Sequence, residues 1–128
     1  QGVYRLLSGR VKIGEDLTSA VYREAWEETG LGVSIERFLG IISYRFLWQG
    51  QCAPMTSYIF LLSETDGTLH PQDHDEPISG FREVDLPGLL VLAEELESLP
   101  EDWKDWGKFR AIAHRFVVEV LAKDDART

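Results

Sequence analysis

In the stretch GRVKIGEDLTSAVYREAWEETGL, residues 9–31, three glutamates, Glu24, Glu27 and Glu28, fall within a single helical turn. Like charges three and four residues apart on a helix repel one another. Taken alone, REAWEE reads as a solvated helix face, with Arg23 able to pair with Glu27 at the favourable four-residue spacing. The angular positions support a different reading. At the helical period the three glutamates span an arc of about 100°, and Leu17, Ala20 and Val21 share much of it. The carboxylates therefore stand at the border of the apolar face, while Tyr22 and Trp26 point away from it. A partly buried trio of carboxylates is costly unless a cation joins it, because each charge loses water and feels its neighbours. A divalent metal would supply that cation.

The donor set narrows the ion. Carboxylates with no adjacent histidine or cysteine suit hard cations, Mg²⁺ or Mn²⁺, which keep several waters and bridge to phosphate oxygens. Zinc does not fit: His70, His74 and His114 lie far down the chain, and the HPQDHDE segment around the first two has no zinc-ligand spacing and reads as a solvated polar loop.

The flanks give the stretch its local logic. Gly9 and Gly14 permit a tight loop, Asp16 is a good N-cap for a helix beginning near Leu17, and Gly30 can take the left-handed conformation that ends it. The order is loop, helix, loop. From Gly9 through Glu15, Arg23, Glu24, Ala25, Glu27, Glu28, Gly30 and Leu31, the residues match the pattern G-x5-E-x7-R-E-U-x-E-E-x-G-U, where U is aliphatic. This resembles the Nudix box. Because the pattern fixes residues at set offsets, it is far more specific than a lone glycine-rich loop.

The resemblance implies an α/β fold, an α/β/α sandwich around a mixed β-sheet, formed here as a single domain over residues 1–128. It also implies roles. Glu24, Glu27 and Glu28 correspond to metal ligands, the backbone carbonyl of Ser8 or Gly9 would complete the shell, Arg23 would hold a glutamate in place, and Glu15 would support the site from behind. The implied reaction is metal-dependent hydrolysis of a pyrophosphate bond in a nucleoside diphosphate derivative. Metal-bound water attacks one phosphorus, and a carboxylate takes the proton. Glu24 and Glu76, the latter in HDEPISGFREVDL, are the two candidate bases, and Glu76 reads equally well as a solvated loop charge. The runner-up is a catalytically inactive relative of the same fold that binds a ligand or a protein.

Only eight residues precede Gly9, and Leu7 and Ser8 stand where the family commonly has proline and glycine. The chain is therefore expected to be incomplete at its amino terminus, lacking the usual first strands, or else a second copy completes the sheet as a homodimer. Downstream, VSIERFLGIISYRFLW and TSYIFLLSE predict a long antiparallel pair across the QGQCAP turn region, and ISGFREV predicts a further strand. PGLLVLAEELESL and WKDWGKFRAIAHRFVVEVLA predict helices. The second carries Trp106, Phe109, Ile112, Phe116, Val120 and Leu121 at helical spacing, as core residues packing on a sheet. Tyr44 and Trp48 could stack on a base, although packing is the plainer role for both.

Composition bounds the partners. A net charge of −9 disfavours general binding to nucleic acid or to anionic membranes, and it makes local charge reversal by a bound metal a condition for holding a diphosphate. Basic residues are scattered, which argues against capped RNA or highly phosphorylated inositols. A small nucleotide with one pyrophosphate link, gripped by the metal and by Arg5 or Arg10, is the expected substrate. The longest apolar runs, such as YIFLL, are strand-length rather than membrane-spanning, and the single cysteine, Cys52, allows no internal disulfide; together these lead to the expectation of a cytoplasmic enzyme.

Overall fold

The structure, a computed structural model, describes residues 6–67 and 81–127. Their elements are helix α1 (Leu17–Thr29), strands β1 (Leu31–Trp48) and β2 (Gln51–Gly67), helix α2 (Leu86–Glu97), a 3-10 turn (Glu101–Trp103) and helix α3 (Lys104–Arg127). The described residues fall into two compact units, one from residues 8–67 and the other from residues 6–7 together with 81–127. Helices and an antiparallel sheet make the fold class α/β, as expected.

In the first unit β1 and β2 form one antiparallel hairpin, paired from Leu31 with Gly67 to Trp48 with Gln51. Gln49 and Gly50, at φ 49° and 77°, form a two-residue turn with both central residues in the left-handed region, the combination that matches the natural twist of the strands. The turn is tighter than the QGQCAP reading implied. Gln51 to Pro54 already pair with β1, because two residues suffice to reverse the chain. The register slips between Gly32 and Val33, Ile35 and Arg37, and Phe38 and Gly40. Each slip re-aims the side chains that follow, so strict alternation does not run the length of the ribbon. Phe38 and Phe60 face each other across the strands with ring centroids 5.2 Å apart. Among the described residues the sheet has these two strands alone, both antiparallel. Phe81 to Val84, the described part of ISGFREV, form no strand.

In the second unit Asp85 caps α2, its carboxylate accepting the Gly88 N–H at 2.9 Å, and Pro87 sits in the first turn, where its missing N–H costs nothing. Helices α2 and α3 pack around Ala93, Leu96 and Ala111, which are fully buried, with Leu99 and Trp106 against them. The small residues at this contact allow close approach. A Cβ on Gly107 would collide with the Leu96 carbonyl oxygen, so a glycine in the first turn of α3 is required by packing. Arg115 donates to both oxygens of Glu97 at 2.8 and 2.6 Å, tying α3 to the end of α2 at the surface. The packing partner of Trp106 in this unit is thus α2 rather than a sheet, and Ile112, expected in the core, is 50% exposed because it faces away from that contact. His114 is buried in α3, whereas His70 and His74 lie outside the described residues.

Candidate functional site

Helix α1 presents the glutamates, and its two ends are fixed by its own sequence. Asp16 Oδ1 accepts the Ser19 N–H at 2.8 Å. At the other end Gly30, at φ 74°, donates its N–H to the Trp26 carbonyl at 2.8 Å. Thr29 reinforces that end: its hydroxyl donates to the Ala25 carbonyl and accepts the Leu31 N–H at 3.2 Å, so one side chain ties the end of the helix to the start of the strand. Ala20, Ala25 and Glu28 lie on the buried face, while Tyr22 and Trp26 are exposed. Glu28 is only 2% exposed, and the side chains of Glu24 and Glu27 retain 19% and 28% exposure. The trio therefore grades from buried to half-solvated across the border of the apolar face, as the angular reading predicts.

Arg23 organises the cluster. Its Nε and Nη2 donate to the two oxygens of Glu15 at 2.7 and 2.9 Å, its Nη1 reaches both Glu24 and Glu27 at 2.8 Å, and Nη2 also donates to the Arg10 carbonyl at 2.7 Å. Only the planar fork of arginine can serve so many acceptors at once. Glu15 gains further from the Lys12 N–H at 3.0 Å, and hydrogen bonds from Arg23 and Lys12 lower its carboxyl pKa to about 2. The same contacts raise the Arg23 pKa further, Glu15 contributing most. Glu15 thus stays ionised beside Arg23 well below the usual carboxylate range.

The loop before the helix closes on Glu24. The Arg10 N–H donates to Glu24 Oε1 at 3.3 Å, and the Gly9 backbone lies so near that a Cβ there would overlap the Glu24 carboxyl group. The sequence reads Gly9 as part of a tight loop, and the structure adds a close approach of its main chain to the Glu24 carboxylate. Ser8, half-buried, stands next to it.

Whether these residues suit a divalent ion can be judged from their donors. All are hard oxygens on one turn of helix, and Glu28 is withdrawn from water, a donor chemistry that fits Mg²⁺ or Mn²⁺. Among the described residues, however, no three Asp, Glu, His or Cys side chains converge closely enough to hold an ion, because the Glu24 and Glu27 carboxylates turn toward Arg23.

The remaining candidates lie elsewhere. Arg10 joins the cluster through its backbone. Tyr44 is thirteen residues along β1 from Leu31, about 40 Å at the usual strand rise, with its hydroxyl 3.3 Å from Ser57 Oγ, so the structure does not bring it to the trio. Arg5, Glu76 and the Trp48 side chain lie outside what the structure describes. Cys52 is exposed on β2.

Helix α1 thus carries three glutamates on one turn, two of them bonded to Arg23, and is entered from a glycine loop and left through a capped turn into a strand. The family model of the NUDIX domain matches residues 1–112, and the chain belongs to that family. It is 34% identical over 90 residues to an NAD-capped RNA hydrolase of Chromobacterium violaceum, a match covering 69% of this chain and 31% of that protein. It is 31% identical over 106 residues to an ADP-ribose pyrophosphatase of Methanocaldococcus jannaschii, covering 83% of this chain and 60% of the relative. Identity to a putative mutator protein of Mycobacterium tuberculosis is 29% over 94 residues, 73% of this chain and 38% of the relative. The matched segment thus spans between about a third and three fifths of each relative's own length.

Proposed function

We propose that the chain hydrolyses a pyrophosphate bond in a small nucleoside diphosphate derivative with the help of Mg²⁺ or Mn²⁺. The observation that carries this reading is the carboxylate trio on one turn of α1, with Glu28 buried and Glu24 backed by the Gly9 loop. Glu24, Glu27 and Glu28, with the Ser8 or Gly9 carbonyl, would hold the metal. Bound there, it would activate water and neutralise charge on the diphosphate. Arg23 orients Glu24 and Glu27 through its Nη1, and Glu15 keeps Arg23 in place. Glu76 or Glu24 takes the proton from water. The names of two relatives, an ADP-ribose pyrophosphatase and an NAD-capped RNA hydrolase, support the pyrophosphate bond as the target. The scattered basic residues and the net charge of −9 favour a free small nucleotide over RNA.

The alternative, a binding module without turnover, draws on the turning of Glu24 and Glu27 toward Arg23. One experiment separates the two: nucleoside diphosphate sugars, dinucleotides, nucleoside triphosphates, capped RNA and an inositol pyrophosphate compete for hydrolysis in Mg²⁺, Mn²⁺ or EDTA. Metal-dependent cleavage of a small nucleotide, lost in Glu28→Gln together with Mg²⁺ affinity but without loss of fold, is the expected result. Faster cleavage of RNA or inositol substrates would overturn the substrate assignment, and unchanged Mg²⁺ affinity in Glu28→Gln would overturn the metal assignment.

A further inference from the structure

His114 takes no part in the proposed chemistry, yet it is 1% exposed, and its Nε2 lies 3.0 Å from the backbone nitrogen of Leu6, a residue 108 positions earlier in the chain. A backbone amide can only donate, so Nε2 must be the acceptor, and the imidazole is neutral with its proton on Nδ1. We propose that His114 is a proton-sensitive latch that holds the amino-terminal segment at Leu6 onto α3. Adding a proton at Nε2 sets an N–H donor against the Leu6 N–H donor. The bond then becomes a repulsion inside a buried site, and the Leu6 backbone is released. The coupling runs through Nε2 alone, so its sign does not depend on what Nδ1 contacts.

On α3, Arg110 stands one turn earlier with its Nε withdrawn from solvent, and Arg115 is engaged by Glu97 at the end of α2. The buried residues of α2, Leu92, Ala93 and Leu96, carry no charge, and neither do Leu6 and Leu7. Linkage sets the form of the response. One proton taken up on opening lowers the ratio of latched to open protein tenfold for each pH unit below the midpoint of His114 in the open state, and leaves it constant above.

Nuclear magnetic resonance on the whole chain tests this in two ways. The ¹⁵N shifts of His114 should report the Nδ1–H tautomer at pH 8, and the protection of the Leu6 amide, corrected for intrinsic exchange, should fall as His114 titrates on lowering the pH toward 5. His114→Gln, whose side-chain oxygen accepts the same N–H but does not titrate, should retain protection and lose its pH dependence. An Nε2–H tautomer in the unaltered protein would overturn the latch, as would Leu6 protection that is flat across the His114 titration. The tautomer measurement needs no variant and therefore decides the matter even if His114→Gln fails to fold.

Discussion

Replacing Gly9 by alanine examines the closest approach in the candidate site. The added Cβ would overlap Cγ, Cδ and Oε2 of Glu24, so the carboxyl group must swing away. In doing so it gives up the 2.8 Å bond from Arg23 Nη1 and the longer one from the Arg10 N–H. A hydrogen bond to a charged group is worth about 1.5–3 kcal/mol, and water recovers part of it because the Glu24 side chain is partly exposed, leaving a net cost of about 1–2 kcal/mol. For a chain of this size that lowers Tm by roughly 3–8 °C. Thermal unfolding followed by circular dichroism in EDTA reads this without reference to catalysis. The decisive measurement is a double-mutant cycle with Glu24→Ala, which deletes all three overlapping atoms. In that background Gly9→Ala should cost less than about 0.5 kcal/mol, so the coupling energy should account for nearly the whole single-mutant effect. An equal cost in both backgrounds would refute the close approach and attribute the glycine to loop flexibility.

Other consequences follow from individual contacts. Gly107→Ala should lower Tm although alanine is the better helix former by about 1 kcal/mol, because overpacking against the Leu96 carbonyl costs about 1–3 kcal/mol; a raised Tm would remove the tight α2–α3 contact. Acid should weaken the fold through Glu15. Its folded pKa of about 2 lies below the ordinary 4.5, so its contribution is complete above pH 4.5 and fades as pH falls toward 2. Glu97, lowered by Arg115, acts in the same direction. Urea midpoints measured between pH 6 and 3 should therefore fall less steeply in Glu15→Gln than in the parent, and parallel curves would count against the Arg23 fork. If Glu76 is the base, Glu76→Gln should reduce turnover by about 10²- to 10⁴-fold with Mg²⁺ affinity retained, and near-normal turnover would leave proton removal to Glu24.

Residues 15–31 were the most legible part of the chain, because what they encode is local. A capping aspartate, a 3.6-residue period and a glycine that tolerates positive φ act within one or two turns. They predicted both ends of α1, the exposure of Trp26 and the border position of the trio. The β1–β2 pair was visible for the same reason, since β-branched and aromatic runs flank one turn. Its register slips were not, because a bulge depends on how two strands twist together. Periodicity marked the apolar stripe of α3 without saying what would cover it, so Ile112 was placed in the core and the Leu96–Gly107 contact went unseen.

The sequence by itself determined the residue types gathered at the candidate site: an oxygen-only donor set, a fork-shaped cation beside it, and a helix to display them. It could do so because residue type and spacing along one helix decide charge, hardness and facing. Only the tertiary structure decided which partners those groups choose. Arg23 turns to Glu15 on the loop as well as to its helix neighbours, Gly9 closes on Glu24, and His114 accepts a hydrogen bond from Leu6 at the far end of the chain. Those choices depend on loop closure and on packing between segments distant in sequence, where many pairings satisfy the same residue types and only the folded backbone selects one.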